Sequence, residues 1–115
     1  MNDRAVPTVA WVYLGFAALG GASTWTYNVL AMHELGRMFT PAEFVRVGFE
    51  GSAVLGSVAA DFWVGSLVSL VWLVVEARRL GMRRVWVYLV LTMLIAWAFA
   101  FPLFLHMRER RLAMR

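Results

Sequence analysis

The sequence predicts an all-α integral membrane protein with three transmembrane helices and a short interfacial amphipathic helix between the first and the second. Of the 115 residues, 62% are hydrophobic, against roughly 45–50% in ordinary soluble domains. Charged side chains are absent from residues 5–33 and 85–107, and residues 51–75 contain only Asp61. Each stretch can supply the roughly 20 residues that cross a bilayer. We therefore expect a single transmembrane domain over residues 1–115, with spans at about 9–31, 54–75 and 85–107.

Composition also excludes several function classes. The chain has no cysteine, which excludes disulfides, thiolate catalysis and cysteine metal sites. His33 and His106 lack metal-ligand spacing, so we expect no metal and no cofactor. All eleven basic residues are arginines, and the net charge is +4. Because the arginine clusters flank apolar spans, they favour contact with lipid headgroups over a nucleic-acid partner.

The first span has a face of small residues that another helix can approach closely, and Gly15 and Gly21 lie on it. Its uncharged run of 29 residues exceeds the roughly 7–15-residue core of a secretory signal. We therefore expect an uncleaved anchor. Polar and aromatic residues follow near its end, among them Trp25 and Asn28.

The loop after the first span contains good helix-start signals. Thr40 at the N-cap, Pro41 at the first helical position and Glu43 at the third form a capping box with proline in its favoured place. The spacing that follows is amphipathic, which predicts a helix over 41–50 in the headgroup plane with Phe44 and Phe49 directed inward.

The second and third spans are joined by a basic turn, EARRLGMRR. Gly81 fits the C-cap position of the second span, and Pro102 predicts a kink in the last turns of the third. If all three segments cross, arginines divide almost equally between the two sides, five against six. The arginines concentrated in this turn favour a cytoplasmic location for the turn and for the N-terminus. The almost equal division of the chain's arginines between the two sides leaves dual insertion open.

Asp61 is the one acidic residue inside a span, roughly 8 Å from its start at 1.5 Å per residue. Ser57, Gly65 and Ser69 share its helix face and form a stripe of small and polar residues, which predicts that this face contacts protein. Up-down-up connectivity would bring the ends of the first and third spans to the depth of Asp61.

Two interpretations of Asp61 remain open. In one, it hydrogen-bonds Asn28, Tyr27 or Thr24 across a helix interface and fixes their register. In the other, Asp61 is a catalytic acid with a raised pKa beside an aromatic pocket for an isoprenoid-like guest. The candidate ligand-binding residues of that pocket are Trp25, Asn28, Trp97 and Phe101.

Three stretches resemble one known family. They are Ala60-Asp61-Phe62-Trp63 near the start of the second span, Val75 to Gly81 at its exit, and Phe101 to Leu105 followed by Arg108-Glu109-Arg110. Over nearly the whole chain, the sequence resembles the bacterial membrane proteins catalogued as domain of unknown function 2834. That resemblance implies a small three-helix membrane protein and supplies no reaction. A looser similarity points toward integral-membrane terpenoid cyclases. It rests only on the presence of intramembrane acidic residues among aromatic residues.

We expect a multi-pass protein of the bacterial inner membrane that forms homo-oligomers or serves as a subunit of a membrane complex. The alternative is a membrane enzyme or binder of an isoprenoid or terpenoid-like lipid that uses Asp61 as an intramembrane acid. The lipid bilayer is the partner common to both, and the sequence leaves open whether the protein is an enzyme.

Overall fold

The computed structural model describes residues 5–114, and this part of the chain folds into five α-helices. They are α1 (Thr8–Leu35), α2 (Pro41–Glu50), α3 (Ala53–Arg79), α4 (Val85–Leu94) and α5 (Trp97–Ala113). The all-α prediction is confirmed. The helices form an elongated bundle of 53 × 25 × 23 Å.

Helices α1 and α5 form the most extensive contact and run antiparallel. Ala10 of α1 lies beside His106 of α5, and Gly20 lies beside Ala98. A Cβ atom at Gly20 would overlap the Ala98 carbonyl oxygen. Within α5 this carbonyl would accept from the N–H group four residues later, but that residue is Pro102, which has none. The closest approach of the two backbones is therefore at Gly20. Of the predicted small-residue face, Gly21 lies against Phe99, whereas an added Cβ at Gly15 would meet nothing within 4 Å.

Helix α2 packs antiparallel on the first half of α3, and its predicted bounds of 41–50 agree with the structure. A Cβ atom at Gly48 would lie 2.6 Å from the Ala59 side chain. The Phe44 and Trp63 rings meet edge to face, with centroids 5.8 Å apart. The loop between the first two long helices is thus an ordered part of the fold.

The third predicted span is not one continuous helix. Residues 85–107 divide into α4 and the first part of α5, which fold back on each other as a hairpin with Tyr88 against Phe104, ring centroids 5.3 Å apart. The break lies at Ile95 and Ala96, where Ala96 is extended (φ 176°, ψ 153°), and Pro102 lies inside α5. The chain therefore reverses before Pro102. Within α5, Pro102 leaves the Ala98 carbonyl without an N–H partner one turn later.

The hairpin determines which residues lie at each end of the bundle. The starts of α1 and α4 and the ends of α3 and α5 meet at one end of the bundle. We call it the arginine-rich end. The opposite end, formed by the end of α1, by α2 and by the start of α3, is the loop end. His106 and Arg108 lie at the arginine-rich end, beside Ala10 and Glu76, whereas Asp61 lies in the half of α3 nearer the loop end. The expectation that the end of the third segment shares the depth of Asp61 is wrong, because α5 runs parallel to α3.

The buried core is small and lies near the arginine-rich end. Leu73, Ala77, Tyr88 and Phe104 form its centre. Within residues 5–114, α3 is the one helix both long and apolar enough to cross a membrane, and α4 is a shorter apolar helix. Only 17% of the most apolar window of α3 is buried, so most of this helix faces outward from the chain.

Candidate functional site

Asp61 lies on an exposed face of α3. Ser57 and Gly65, one turn to either side, are also exposed, and Ser69 is half-buried. A Cβ atom at Gly65 would meet nothing within 4 Å. Across residues 5–114, Asp61 takes part in no ion pair or side-chain hydrogen bond. The polar stripe therefore faces away from the other helices of its own chain.

A groove of about 550 Å³ opens between α1, α2 and α3 at the loop end. Asn28 contributes to its lining from α1, and the aromatic walls come from Phe44, Phe62 and Trp63. This volume falls within the roughly 300–1,000 Å³ of typical ligand pockets. Asp61 is not among the lining residues. The groove therefore offers a largely apolar binding space whose polar lining includes Asn28, Glu34 and Glu43, and the Asp61 carboxylate lies outside it.

The other candidate ligand-binding residues lie elsewhere. Trp97 and Phe101 stack with ring centroids 4.5 Å apart, at the start of α5. Phe101 also meets Trp72 of α3 edge to face at 6.0 Å. The indole N–H of Trp25 is buried and finds no hydrogen-bond partner among the described residues. Of the five candidates, Asn28 lines the groove and the other four do not, and Trp97 and Phe101 stack on each other away from it.

A buried ion-pair network lies at the arginine-rich end, and sequence reasoning missed it. The Glu76 carboxylate accepts hydrogen bonds from Nε of Arg79 and Nε of Arg108, each at 3.0 Å. The Arg108 guanidinium also lies over the Trp72 ring, 5.7 Å from its centroid. The i, i+3 spacing of Glu76 and Arg79 was visible in the sequence. The link to Arg108, 32 residues away, depends on the α4–α5 hairpin.

His106 joins α5 to the start of α1. Its Nδ1 lies 2.7 Å from the Ala10 carbonyl oxygen, and its side chain is buried. The Trp11 ring covers it at 5.4 Å. A carbonyl can only accept, so Nδ1 carries the proton in this contact. The structure therefore makes His106 an interhelical contact between α5 and α1.

The loop end has a second charged cluster at the start of α2. The Thr40 side chain accepts a hydrogen bond from the Glu43 N–H at 3.1 Å, and the Glu43 carboxylate accepts one from the Thr40 N–H at 3.0 Å. The predicted capping box is confirmed. Arg37 adds a bidentate contact to the same carboxylate at 2.8 and 2.9 Å, which orders the loop before α2.

The described residues contain no group of three His, Asp or Glu side chains that could hold a metal ion. What the structure does contain is an outward-facing acid on an apolar helix, an aromatic groove and a basic end.

Comparison with known proteins supports the sequence resemblance. The family model described as "Protein of unknown function DUF2834" matches residues 12–110. No curated protein and no solved structure matches the chain. The match includes Asp61, the α3–α4 turn and the hairpin. The chain belongs to the DUF2834 family of proteins of unknown function.

Proposed function

We propose that this chain is an integral membrane protein that self-associates through the polar stripe of α3, defined by Ser57, Asp61, Gly65 and Ser69. The observation that carries the proposal is the outward position of Asp61 on a helix that is otherwise apolar. A carboxylate in that position needs a partner, and residues 5–114 of its own chain provide no ion pair for it.

Exposed apolar side chains support the membrane part of the proposal. Large side chains face outward around α3 and along α1, for example Val64 (64% exposed), Val71 (66%) and Leu19 (62%). Soluble proteins rarely expose apolar patches above a few hundred Å², whereas lipid tails are a suitable environment for such a surface. The charged residues of α1 and α3 other than Asp61 lie near helix ends, where a bilayer has its headgroups.

The energetics of Asp61 support self-association. An ionised Asp at the centre of a membrane helix costs roughly 2.5–3.5 kcal/mol on insertion scales, and such residues almost always face other helices or a cavity. A second α3 helix can cover the stripe, since Gly65 permits close approach and Ser57 can donate its hydroxyl proton to the carboxylate. In a two-fold dimer each chain offers the same stripe to the other, so both Asp61 side chains become covered.

Disulfide cross-linking in membranes tests this interface directly, because the chain has no native cysteine. Ser57→Cys and Ser69→Cys are near-isosteric changes on the stripe. We expect each to form a covalent dimer on mild oxidation. Leu67→Cys is the matched control, since Leu67 is 56% exposed but on a different face of the same helix, and it should stay monomeric.

Native mass spectrometry of the detergent-purified protein complements the cross-linking. A dimer or larger homo-oligomer in the wild type, with cross-links confined to the stripe, supports the proposal. A monomer, or a complex containing a different protein with no stripe cross-link, refutes self-association through α3.

The groove at the loop end favours a second candidate function, the binding of an isoprenoid-like lipid. Its aromatic walls suit an apolar chain, and Asn28 is placed to orient a polar headgroup. The same mass spectra test it. A co-purifying lipid that is lost in Asn28→Ala and kept in Asp61→Asn would support a binding site in the groove. Loss in Asp61→Asn alone would instead favour Asp61 as the acid of a lipid-modifying site.

A further inference from the structure

Four backbone N–H groups at the tip of the α4–α5 hairpin are bonded within the hairpin itself. The Leu91 carbonyl accepts the N–H groups of Ile95 (2.9 Å) and Ala96 (3.2 Å). The Ala96 carbonyl in turn accepts the N–H groups of Phe99 (3.2 Å) and Ala100 (3.0 Å). Non-helical backbone at membrane depth is tolerated only where protein or a water-filled cavity surrounds it. This tip is compact, and its two linking residues are half-buried.

The first arm of the hairpin, α4, is too short to cross a bilayer. The ten residues of α4 span about 15 Å at 1.5 Å per residue, half of a hydrocarbon core of about 30 Å. The tip lies beside Gly20 and Gly21 of α1, which contact Ala98 and Phe99. Gly20 is itself ten residues, or about 15 Å, beyond Ala10 at the arginine-rich end. The length of α4 and the distance along α1 from Ala10 to Gly20 both place the hairpin tip near the middle of a membrane.

The fold collects positive charge at one end. Seven of the nine described arginines lie at the arginine-rich end, namely Arg78, Arg79, Arg83, Arg84, Arg108, Arg110 and Arg111. The other two, Arg37 and Arg46, lie at the loop end. Among the described residues, Arg78, Arg83, Arg84 and Arg110 have no carboxylate partner. A chain that crossed three times would divide its arginines almost equally between the two sides. In this fold, most of the described arginines lie at one end instead.

We infer that α4 and α5 form a re-entrant hairpin, so that the arginine-rich end, with the start of α1 and the end of α5, lies in the cytoplasm and binds anionic lipid headgroups. Cytoplasmic segments carry the excess of arginine, and the cytoplasmic leaflet carries the anionic lipids. This inference rests on the proposed membrane location of the chain but not on self-association.

Single-cysteine labelling tests the sidedness. The variants are Met38→Cys in the α1–α2 loop, Arg83→Cys in the α3–α4 turn and Met114→Cys after α5; all three positions are exposed. With a membrane-impermeant maleimide we expect labelling of Met38→Cys in intact cells. Arg83→Cys and Met114→Cys should be labelled only after permeabilisation, and detergent should make all three reactive.

The labelling outcomes separate the inference from the proposed function. External labelling of Met114→Cys with protection of Arg83→Cys would overturn the hairpin, because the third segment then crosses. External labelling of both, with Met38→Cys protected, or mixed labelling at every position, would overturn the cytoplasmic assignment. Equal protection of all three, with release into the soluble fraction, would refute membrane insertion itself.

Headgroup binding is tested by native mass spectrometry from mixed phosphatidylglycerol and phosphatidylcholine micelles. The wild type should retain phosphatidylglycerol in preference. Each arginine near a membrane surface contributes about five-fold in affinity, so Arg83→Gln with Arg84→Gln should lower retention by about 25-fold. Arg46→Gln, an exposed and unpaired arginine at the loop end, should leave retention unchanged. Equal retention of the two lipids by the wild type, or equal loss in both variants, would overturn headgroup binding.

Discussion

At the residue scale, Glu43 is the acid whose charge state the fold controls most clearly outside the long helices. The Arg37 guanidinium, followed by the Thr40 N–H, lowers the pKa of Glu43 from 4.5 to about 2. Because the pKa is lower in the folded chain than in the unfolded chain, the contact stabilises α2 fully above about pH 4.5. That stabilisation is lost as the pH falls through about 2.

We therefore expect the carboxyl carbon of Glu43 to titrate near pH 2 in a detergent micelle, as followed by NMR. Arg37→Gln should move the midpoint up toward 4.5, the ordinary value, because it removes the largest cause of the shift. Arg46→Gln, on the same helix but outside the cluster, is the control and should leave the midpoint in place. A wild-type midpoint near 4.5 would contradict the contact.

At the element scale, the crossing of α1 and α5 depends on one glycine more than on any large side chain. Gly20 brings the α1 backbone against the Ala98 carbonyl, and the obstructing atoms are backbone, which cannot move as a side-chain tip can. Gly15, five residues earlier on the same helix, has nothing within 4 Å of an added Cβ. The two glycines therefore have opposite roles in one helix.

Gly20→Ala should destabilise the fold by about 1–3 kcal/mol, the usual cost of inserting a carbon into a packed contact. Gly15→Ala should be neutral or stabilising by about 0.4–1 kcal/mol, since alanine restricts the unfolded chain more than glycine. Reversible unfolding in mixed micelles of mild detergent and dodecyl sulfate measures both. Equal stability of the two variants would show that α1 and α5 do not approach closely at Gly20.

At the scale of the whole molecule, the described residues form a small buried core and a large apolar exterior, and Asp61 lies on the outside of α3. Within a helix interface, asparagine can replace the hydrogen bonds of a carboxyl group and leucine cannot. Asp61→Asn and Asp61→Leu therefore separate a packing role from an acid role.

If the stripe is a self-association interface, Asp61→Asn should keep the oligomer. Asp61→Leu should raise the dissociation constant about 3- to 20-fold, which corresponds to roughly 0.6–1.7 kcal/mol for an interhelical hydrogen bond. Fluorescence energy transfer between labelled chains in micelles measures the change. A tighter oligomer in Asp61→Leu would contradict a hydrogen-bonded interface at this position.

The sequence alone determined the helical class, the family, and the bounds and capping box of α2, because these depend on composition and on residues within one turn of each other. It also indicated the small residues of α1 and the acid in α3.

The tertiary structure decided where those features face. The hairpin at Ile95 and Ala96, the contact of His106 with Ala10 and the pairing of Glu76 with Arg108 join residues distant in sequence. Hydrophobic periodicity cannot show whether an apolar stretch of 23 residues crosses or turns back, because both arrangements are equally apolar. Packing of Tyr88 on Phe104 makes that choice, and with it sets which end of the bundle holds the arginines.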